Sequence, residues 1–363
     1  MSLIFEVRNG LGVFVPKNND EALKQQQRLR EIVAEEVEDE KALKKMIKAV
    51  KAMVDKDPLF LRGYAVMGEL LGNLGDDEAD MEASEVYVKG CRAALKIMPE
   101  DFQAPLDLEN SEVQCFLRCH AGYVEALVAK GDYPAALEAS YRQLAFDPED
   151  QFERRRELAE LCIMAGKLKE AEPILTAQLE ERSTAWYSLA YLAFLAGDYK
   201  AAVTRLRRGF VLAPYAVDYL TGRLTAPNIF WEQGPRAPEP HDDLMYVEML
   251  GGDMWSENQE AHEFMEWLSQ TSLAMRERAA MVEISEKSFG RETGEADAEK
   301  AFQALWDGLD DTSSAGLLNE ICDPESGERL LPWRLLALDR ARSRDYDGEE
   351  PGEDCGCGCG AND

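Results

Sequence analysis

The chain is poor in basic side chains and in histidine. It has 40 Lys and Arg residues against 70 Asp and Glu residues, a formal net charge of −30, and three histidines among 363 residues. Binding to nucleic acid or to an anionic membrane surface draws on Lys and Arg, so we expect neither among the partners of this protein. Histidine is the commonest general base near neutral pH, so its scarcity favours a protein that is not an enzyme.

Long apolar runs and the familiar catalytic motifs are also missing. The longest nearly apolar stretch, Leu189 to Ala196, is less than half of the roughly 18 residues that a membrane-spanning helix needs. The first eight residues include Glu6, and no apolar region follows a basic stretch, so no signal peptide is predicted. Phosphate-binding loops, nucleophile elbows and dinucleotide fingerprints do not occur. We therefore expect a soluble cytoplasmic protein.

Helical periodicity dominates what is present. Residues 3–15 contain two β-prone runs around Asn9-Gly10, the dipeptide favoured in a tight hairpin turn. After Pro16, apolar residues recur at three- and four-residue spacing, beginning with a predicted antiparallel pair over Glu21 to Glu36 and Glu38 to Val54. The pattern predicts an all-α fold that carries one small N-terminal β-hairpin.

Several helix pairs repeat along the chain. Gly131, Gly166 and Gly197 each separate two helical patterns, at spacings of 35 and 31 residues, and each is followed five positions later by alanine. A more divergent unit surrounds Gly75. The clearest copy consists of Trp186, Leu189, Ala190, Ala193, Gly197, Tyr199, Ala202 and Pro214. It resembles the tetratricopeptide repeat, which places small residues where two helices cross closely. This resemblance implies a helical-repeat solenoid.

The repeats suggest four segments. We predict a β-hairpin over 1–16, tetratricopeptide-like repeats over 17–222, a helical C-terminal region over 223–344 and a disordered acidic tail over 345–363. Five of the six tryptophans fall in the third segment. We expect them to seal the last repeat as a helical cap rather than to line a ligand pocket.

A second resemblance involves the stretch from Ala213 to Leu220, which reads Ala-Pro-Tyr-Ala-Val-Asp-Tyr-Leu. It is similar to the Asn-Pro-x-Val-x-x-Tyr-Leu stretch of bacterial helical-repeat proteins distantly related to the suppressor-of-tumorigenicity-7 family. This chain has Ala213 where Asn is usual. The resemblance implies helical repeats and no established activity.

The first helices of a tetratricopeptide array line a concave groove, and the family pattern can be carried over to this chain. It gives a mixed-charge end and an aromatic end, which suits an extended peptide or a partner helix. The groove residues so implied are Arg62, Glu69, Arg118, Glu125, Arg156, Glu160, Tyr187, Tyr191 and Phe194. Two basic clusters, Arg154 to Arg156 and Arg205 with Arg207 and Arg208, are expected to neutralise neighbouring acidic helices.

The sequence contains two candidate metal sites, which have less support than the groove. Cys115, Cys119 and His120 share one helix, where packing of small residues is the preferred interpretation over a metal site. Cys355, Cys357 and Cys359 alternate with glycine at the chain's end, and three thiolates are one ligand short of a closed zinc site.

The sequence therefore predicts a non-enzymatic scaffold or adaptor without a cofactor, which binds a protein or peptide partner in its groove. The alternative is a metal- or thiol-handling protein that holds a soft ion such as zinc or copper at Cys355, Cys357 and Cys359. An inert tail and an intermolecular cross-link also remain open for these cysteines.

Overall fold

The computed structural model describes residues 3–34, 39–223, 240–290 and 294–347, with side chains described as far as Ser343. This part of the chain contains eighteen α-helices and two small two-stranded sheets. The predicted all-α fold with an N-terminal hairpin is confirmed. No helix within these ranges combines the length and the apolar character needed to cross a membrane.

The chain divides into two compact units, unit 1 (Met1–Ala171) and unit 2 (Glu172–Asp363). The division falls inside the segment predicted as one repeat region, 17–222. The last clear helix pair, around Gly197, belongs to the same unit as the C-terminal helices.

Unit 1 opens with the β-hairpin, whose strands are β1 (Leu3–Arg8) and β2 (Leu11–Pro16). Both turn residues, Asn9 and Gly10, have positive φ, as a tight hairpin turn requires. The backbone N–H of Gly12 donates to the carbonyl of Pro105 at 3.0 Å, which joins the hairpin to the loop before the fifth helix. The Phe14 ring is fully buried and meets the edge of Phe116. The hairpin is thus part of the hydrophobic core of unit 1.

Helices build the rest of unit 1. They are α1 (Asn19–Val33), α2 (Glu40–Lys56), α3 (Leu61–Gly72), α4 (Asp77–Leu95), α5 (Ser111–Val128), α6 (Tyr133–Phe146) and α7 (Leu158–Met164). Helix α4 packs against both α3 and α5, and α3 also contacts α5. Helix α8 (Leu168–Gln178) begins in unit 1 and ends in unit 2.

The glycines that marked the repeats end one helix and allow the next to begin. Gly75, Gly131, Gly166 and Gly197 all have φ between 70° and 75°, the left-handed conformation in which glycine has no side chain to clash. After three of them an aspartate side chain accepts a backbone N–H of the following helix, as Asp132 does from Ala135 and Asp198 from Ala201. The repeated sequence signal therefore corresponds to a local helix-turn-helix geometry.

Unit 2 continues with ten helices. They are α9 (Ala185–Leu195), α10 (Tyr199–Leu212), α11 (Pro214–Leu220), α12 (Pro240–Glu248), α13 (Leu250–Glu257), α14 (Gln259–Ser269), α15 (Ser272–Phe289), α16 (Glu295–Gly308), α17 (Asp311–Ala315) and α18 (Pro332–Asp347). Helices α9 and α10 form the hairpin around Gly197, and α10 also contacts α15 and α17.

The structure departs from the helical pattern near the end of unit 2. The apolar spacing over Ser314 to Cys322 is typical of a helix, but α17 ends at Ala315 and a short hairpin of β3 (Ile321–Cys322) and β4 (Arg329–Leu330) follows. The Asp323 carboxylate accepts the N–H of Ser326 at 3.1 Å and thereby closes the turn between the strands. Arg342 of α18 donates to both oxygens of Asp323 at 2.8 Å, so this hairpin is fixed to the last helix.

Candidate functional site

Four of the predicted groove residues of unit 1 form ion pairs with neighbouring elements. Arg62 of α3 lies 3.7 Å from Glu112 of α5, and Glu69 of α3 pairs with Arg118 of α5. Glu125, near the end of α5, lies 3.9 Å from Arg154 in the turn before α7. Arg62 and Glu69 thus lie on α3, and Arg118 and Glu125 lie on α5, which contacts α3.

A surface depression of about 650 Å³ lies beside two of these residues. We call it the acidic depression; its lining includes Gly68, Glu69, Asn73, Asp80, Tyr87, Gly122 and Glu125. The residues that line it carry three carboxylates and no lysine or arginine. Glu69 has Arg118 as a partner, and the Glu125 side chain remains 69% exposed. The acidic depression therefore carries negative charge.

Glycine shapes the floor of the acidic depression. An ideal Cβ on Gly68 would lie 2.2 Å from the Tyr87 ring, and one on Gly122 would lie 2.4 Å from the same ring. The ring therefore fits between α3 and α5 because both helices lack a side chain there. Burial raises the pKa of the Tyr87 hydroxyl to about 12, so it stays a neutral phenol at physiological pH. Sequence reasoning missed Tyr87, since the repeat positions were counted on first helices alone.

The other two predicted groove residues of unit 1 are placed differently. Helix α7 begins at Leu158, so Arg156 belongs to the preceding 3-10 turn rather than to a first helix. Glu160 is 1% exposed. Its assignment to an open groove is wrong, because the short helix turns this carboxylate into the protein.

The aromatic end of the predicted groove is also wrong. Tyr187 is fully buried, and Tyr191 and Phe194 are each 6% exposed. The C-terminal helices cover all three within unit 2: Tyr187 lies against Tyr246, Tyr191 against Trp255, and Phe194 against both Phe264 and Trp333. Two of the tryptophans expected to form a cap, Trp255 and Trp333, therefore pack against the residues expected to bind a partner.

Buried polar groups organise this core. The Tyr187 hydroxyl donates to the carbonyl of Ala213 at 2.7 Å. The Asp243 carboxylate accepts the backbone N–H groups of Tyr215 and Ala216 at 2.9 and 3.2 Å, and so caps α11. Burial raises the pKa of Asp243 to about 7, more strongly than these two hydrogen bonds lower it.

Most arginines of the two basic clusters have acidic partners. Arg205 lies 3.0 Å from Glu172, and Arg154 lies 3.3 Å from Glu157. Arg207 is completely buried and pairs with Glu277 through two bonds of 2.9 and 2.5 Å. Arg208 differs, because its guanidinium lies over two indole rings, those of Trp186 and Trp306.

The cysteine and histidine candidates on α5 pack in the core of unit 1. Cys119 and His120 are at most 1% exposed. Nδ1 of His120 donates to Oε1 of Gln143 at 3.3 Å, and burial lowers the pKa of this imidazole to about 4. No metal-binding group of three or more His, Cys, Asp or Glu side chains occurs among the described residues. Cys355, Cys357 and Cys359 lie outside those residues, so the soft-metal hypothesis stays a prediction.

Two comparisons with known proteins were made on the sequence. No protein-family model matches the chain. A search of curated proteins finds no match either. The tetratricopeptide resemblance, like the second resemblance near Pro214, therefore rests on the residues that suggested it.

Proposed function

We propose that this protein is a non-enzymatic scaffold, and that unit 1 binds a basic segment of a partner protein in the acidic depression. The observation that carries the proposal is the lining of that depression: Glu69, Asp80 and Glu125 surround a floor built on Tyr87, without a basic side chain among the lining residues. A lysine or arginine of a partner would supply the missing charge.

Charge and shape support this choice of partner. The chain's net charge of −30 attracts basic segments and raises their rate of encounter. The exposed Asn73 and partly buried Ser84 add polar groups that can hydrogen-bond to a peptide backbone. The Arg118 side chain, paired with Glu69, stands where an incoming cation would compete with it.

The direct test measures binding of a fluorescent Lys- and Ala-rich peptide by anisotropy. The double variant E69Q/E125Q removes two charges from the acidic depression. The control E138Q/E149Q removes two charges from exposed positions of unit 1 outside the depression. We expect at least about tenfold weaker binding for the first variant, as for loss of one charge-assisted hydrogen bond, and little change for the control.

Equal weakening in both variants would show that the peptide responds to net charge alone, and would contradict the proposal. A second measurement identifies natural partners. A photo-crosslinking residue at Asn73 should capture proteins that the same residue at the exposed Glu138 does not capture. Capture of the same proteins from both positions would also count against the acidic depression.

A further inference from the structure

A second depression, of about 470 Å³, lies within unit 2. We call it the tryptophan depression; its lining includes Trp186, Thr204, Arg205, Arg208, Asp310 and Asp311. It differs from the acidic depression because it contains two guanidinium groups and the half-buried face of an indole ring.

Arg208 is held between aromatic rings. Its Cζ lies 5.0 Å from the ring centroid of Trp186 and 5.0 Å from that of Trp306, and the two indoles meet edge to face at 5.7 Å. Stacking of this kind fixes the plane of a guanidinium while its outer N–H groups stay available. The Arg208 side chain is therefore oriented before any ligand arrives.

The other charged groups of the tryptophan depression already have partners. Arg205 pairs with Glu172 at 3.0 Å, and Asp311 lies 3.7 Å from Lys200 while accepting a hydrogen bond from Thr204. Asp310 accepts the N–H of Ser313 at 2.7 Å.

Arg208 is the exception. Its Nε is buried and has no hydrogen-bond partner among the described residues, and it takes part in none of the ion pairs found there. Burial lowers the pKa of Arg208 most strongly; the nearby Asp311 carboxylate raises it, and the charges of Arg205 and Arg207 lower it again. The net effect is a lowered pKa in spite of Asp311, so an anion bound at this guanidinium would stabilise its charged form further.

We propose that the tryptophan depression binds a carboxylate anion attached to an apolar or aromatic body. The carboxylate meets the Arg208 guanidinium, whose planar fork suits two parallel N–H···O bonds. The apolar body lies against Trp186, with Leu179 and Leu189 beside it. A small amphiphilic acid fits these requirements. This site is separate from the acidic depression, so the two proposals fail independently.

The test compares three probes on the full chain by isothermal titration calorimetry: N-acetyl-phenylalanine, its neutral amide and acetate. We expect the acid to bind, with the amide and acetate each at least about tenfold weaker, since each lacks one of the two recognition elements. Because this comparison uses the unaltered protein, it remains decisive even if a variant fails to fold.

Variants then locate the site. R208Q should weaken binding of the acid by about tenfold, whereas R208K, which keeps the charge but loses the fork, should have an intermediate effect. The control R276Q removes an exposed arginine on α15 and should bind as the unaltered protein does. Equal binding of acid and amide, undiminished binding by R208Q, or no binding of the acid at its solubility limit would each overturn the proposal.

Discussion

Units 1 and 2 are built from similar helical hairpins, and an ion pair taken from each unit shows two different ways of joining helices. In unit 1 the pair of Arg118 and Glu69 joins two helices at the surface, with side chains 55% and 46% exposed. In unit 2 the pair of Arg207 and Glu277 joins α10 to α15 inside the protein, with the Arg207 side chain 0% exposed.

Solvent decides what these two arrangements contribute. An exposed ion pair is hydrated and screened, and is worth at most about 1 kcal/mol. A buried arginine needs every donor satisfied, and Arg207 also donates to Ser313, Ser314 and the carbonyl of Gly308. The exposed Glu69 carboxylate can therefore leave Arg118 and bind a cation of a partner. The buried Arg207 and Glu277 cannot separate without destabilising unit 2.

The largest expected effect comes from breaking the buried pair. R207L leaves the Glu277 carboxylate buried without its partner and should lower the free energy of unfolding of unit 2 by about 3–5 kcal/mol. The matched change in unit 1, R118L, should cost less than about 1 kcal/mol. Tryptophan fluorescence during urea unfolding measures the loss in unit 2, because all six tryptophans lie there, and circular dichroism, which follows both units, measures the loss in unit 1. Similar losses for the two variants would remove the distinction between the units.

The second effect is a pH dependence of unit 2. The folded chain keeps the Asp243 proton up to about pH 7, whereas an unfolded aspartate releases it near its ordinary pKa of 3.8. The stability of unit 2 should therefore decrease as the pH rises between these values, by an amount on the order of 4 kcal/mol. D243N should flatten this part of the curve, measured by tryptophan fluorescence. An unchanged slope in D243N would assign the dependence to another group.

Unit 1 should respond to pH in the opposite direction. His120 is protonated near pH 6.5 when unfolded but only near pH 4 in the fold. Acidification through this window should therefore remove on the order of 3 kcal/mol from the stability of unit 1. Far-ultraviolet circular dichroism follows the unfolding of both units, whereas tryptophan fluorescence follows unit 2 only. A pH dependence seen by circular dichroism but not by fluorescence therefore belongs to unit 1. H120Q should remove it, and a curve for H120Q that falls as steeply would contradict the assignment.

The smallest effect tests the floor of the acidic depression. G122A places a methyl group against the Tyr87 ring and should destabilise unit 1 by about 1–3 kcal/mol. G72A, at a position where an ideal Cβ meets nothing within 4 Å, should be neutral or stabilise by less than about 1 kcal/mol. Both are measured by thermal unfolding followed with circular dichroism. A loss of stability in G122A no larger than in G72A would show that Tyr87 is not confined between α3 and α5.

Local chemistry explains which elements were predictable. Asn9-Gly10 encodes its turn directly, and Gly131 followed by Asp132 encodes both the end of one helix and the cap of the next. The helix-turn-helix units follow from such pairs. The short hairpin near Asp323 was missed because two-residue strands leave no periodic signal.

The sequence predicted a groove with a mixed-charge end and an aromatic end, and the aromatic end is wrong. Positions on consecutive first helices fall on one face by helical geometry, which is why Glu69 and Glu125, two residues of the acidic depression, were named together. The same reasoning placed Tyr187 on that face, although residues 185–195 read Ala-Trp-Tyr-Ser-Leu-Ala-Tyr-Leu-Ala-Phe-Leu and are apolar on every side. A helix apolar all round is buried, and this signal could have identified α9 as a core element.

By itself the sequence determined the helical hairpins, the turns between them and the negative character of the chain, because these depend on residues a few positions apart or on composition. The tertiary structure alone decided which faces are covered. Contacts such as Phe194 with Trp333 and Arg207 with Glu277 join residues far apart in the chain. No local pattern encodes such pairings, because burial depends on which other helices pack against a face.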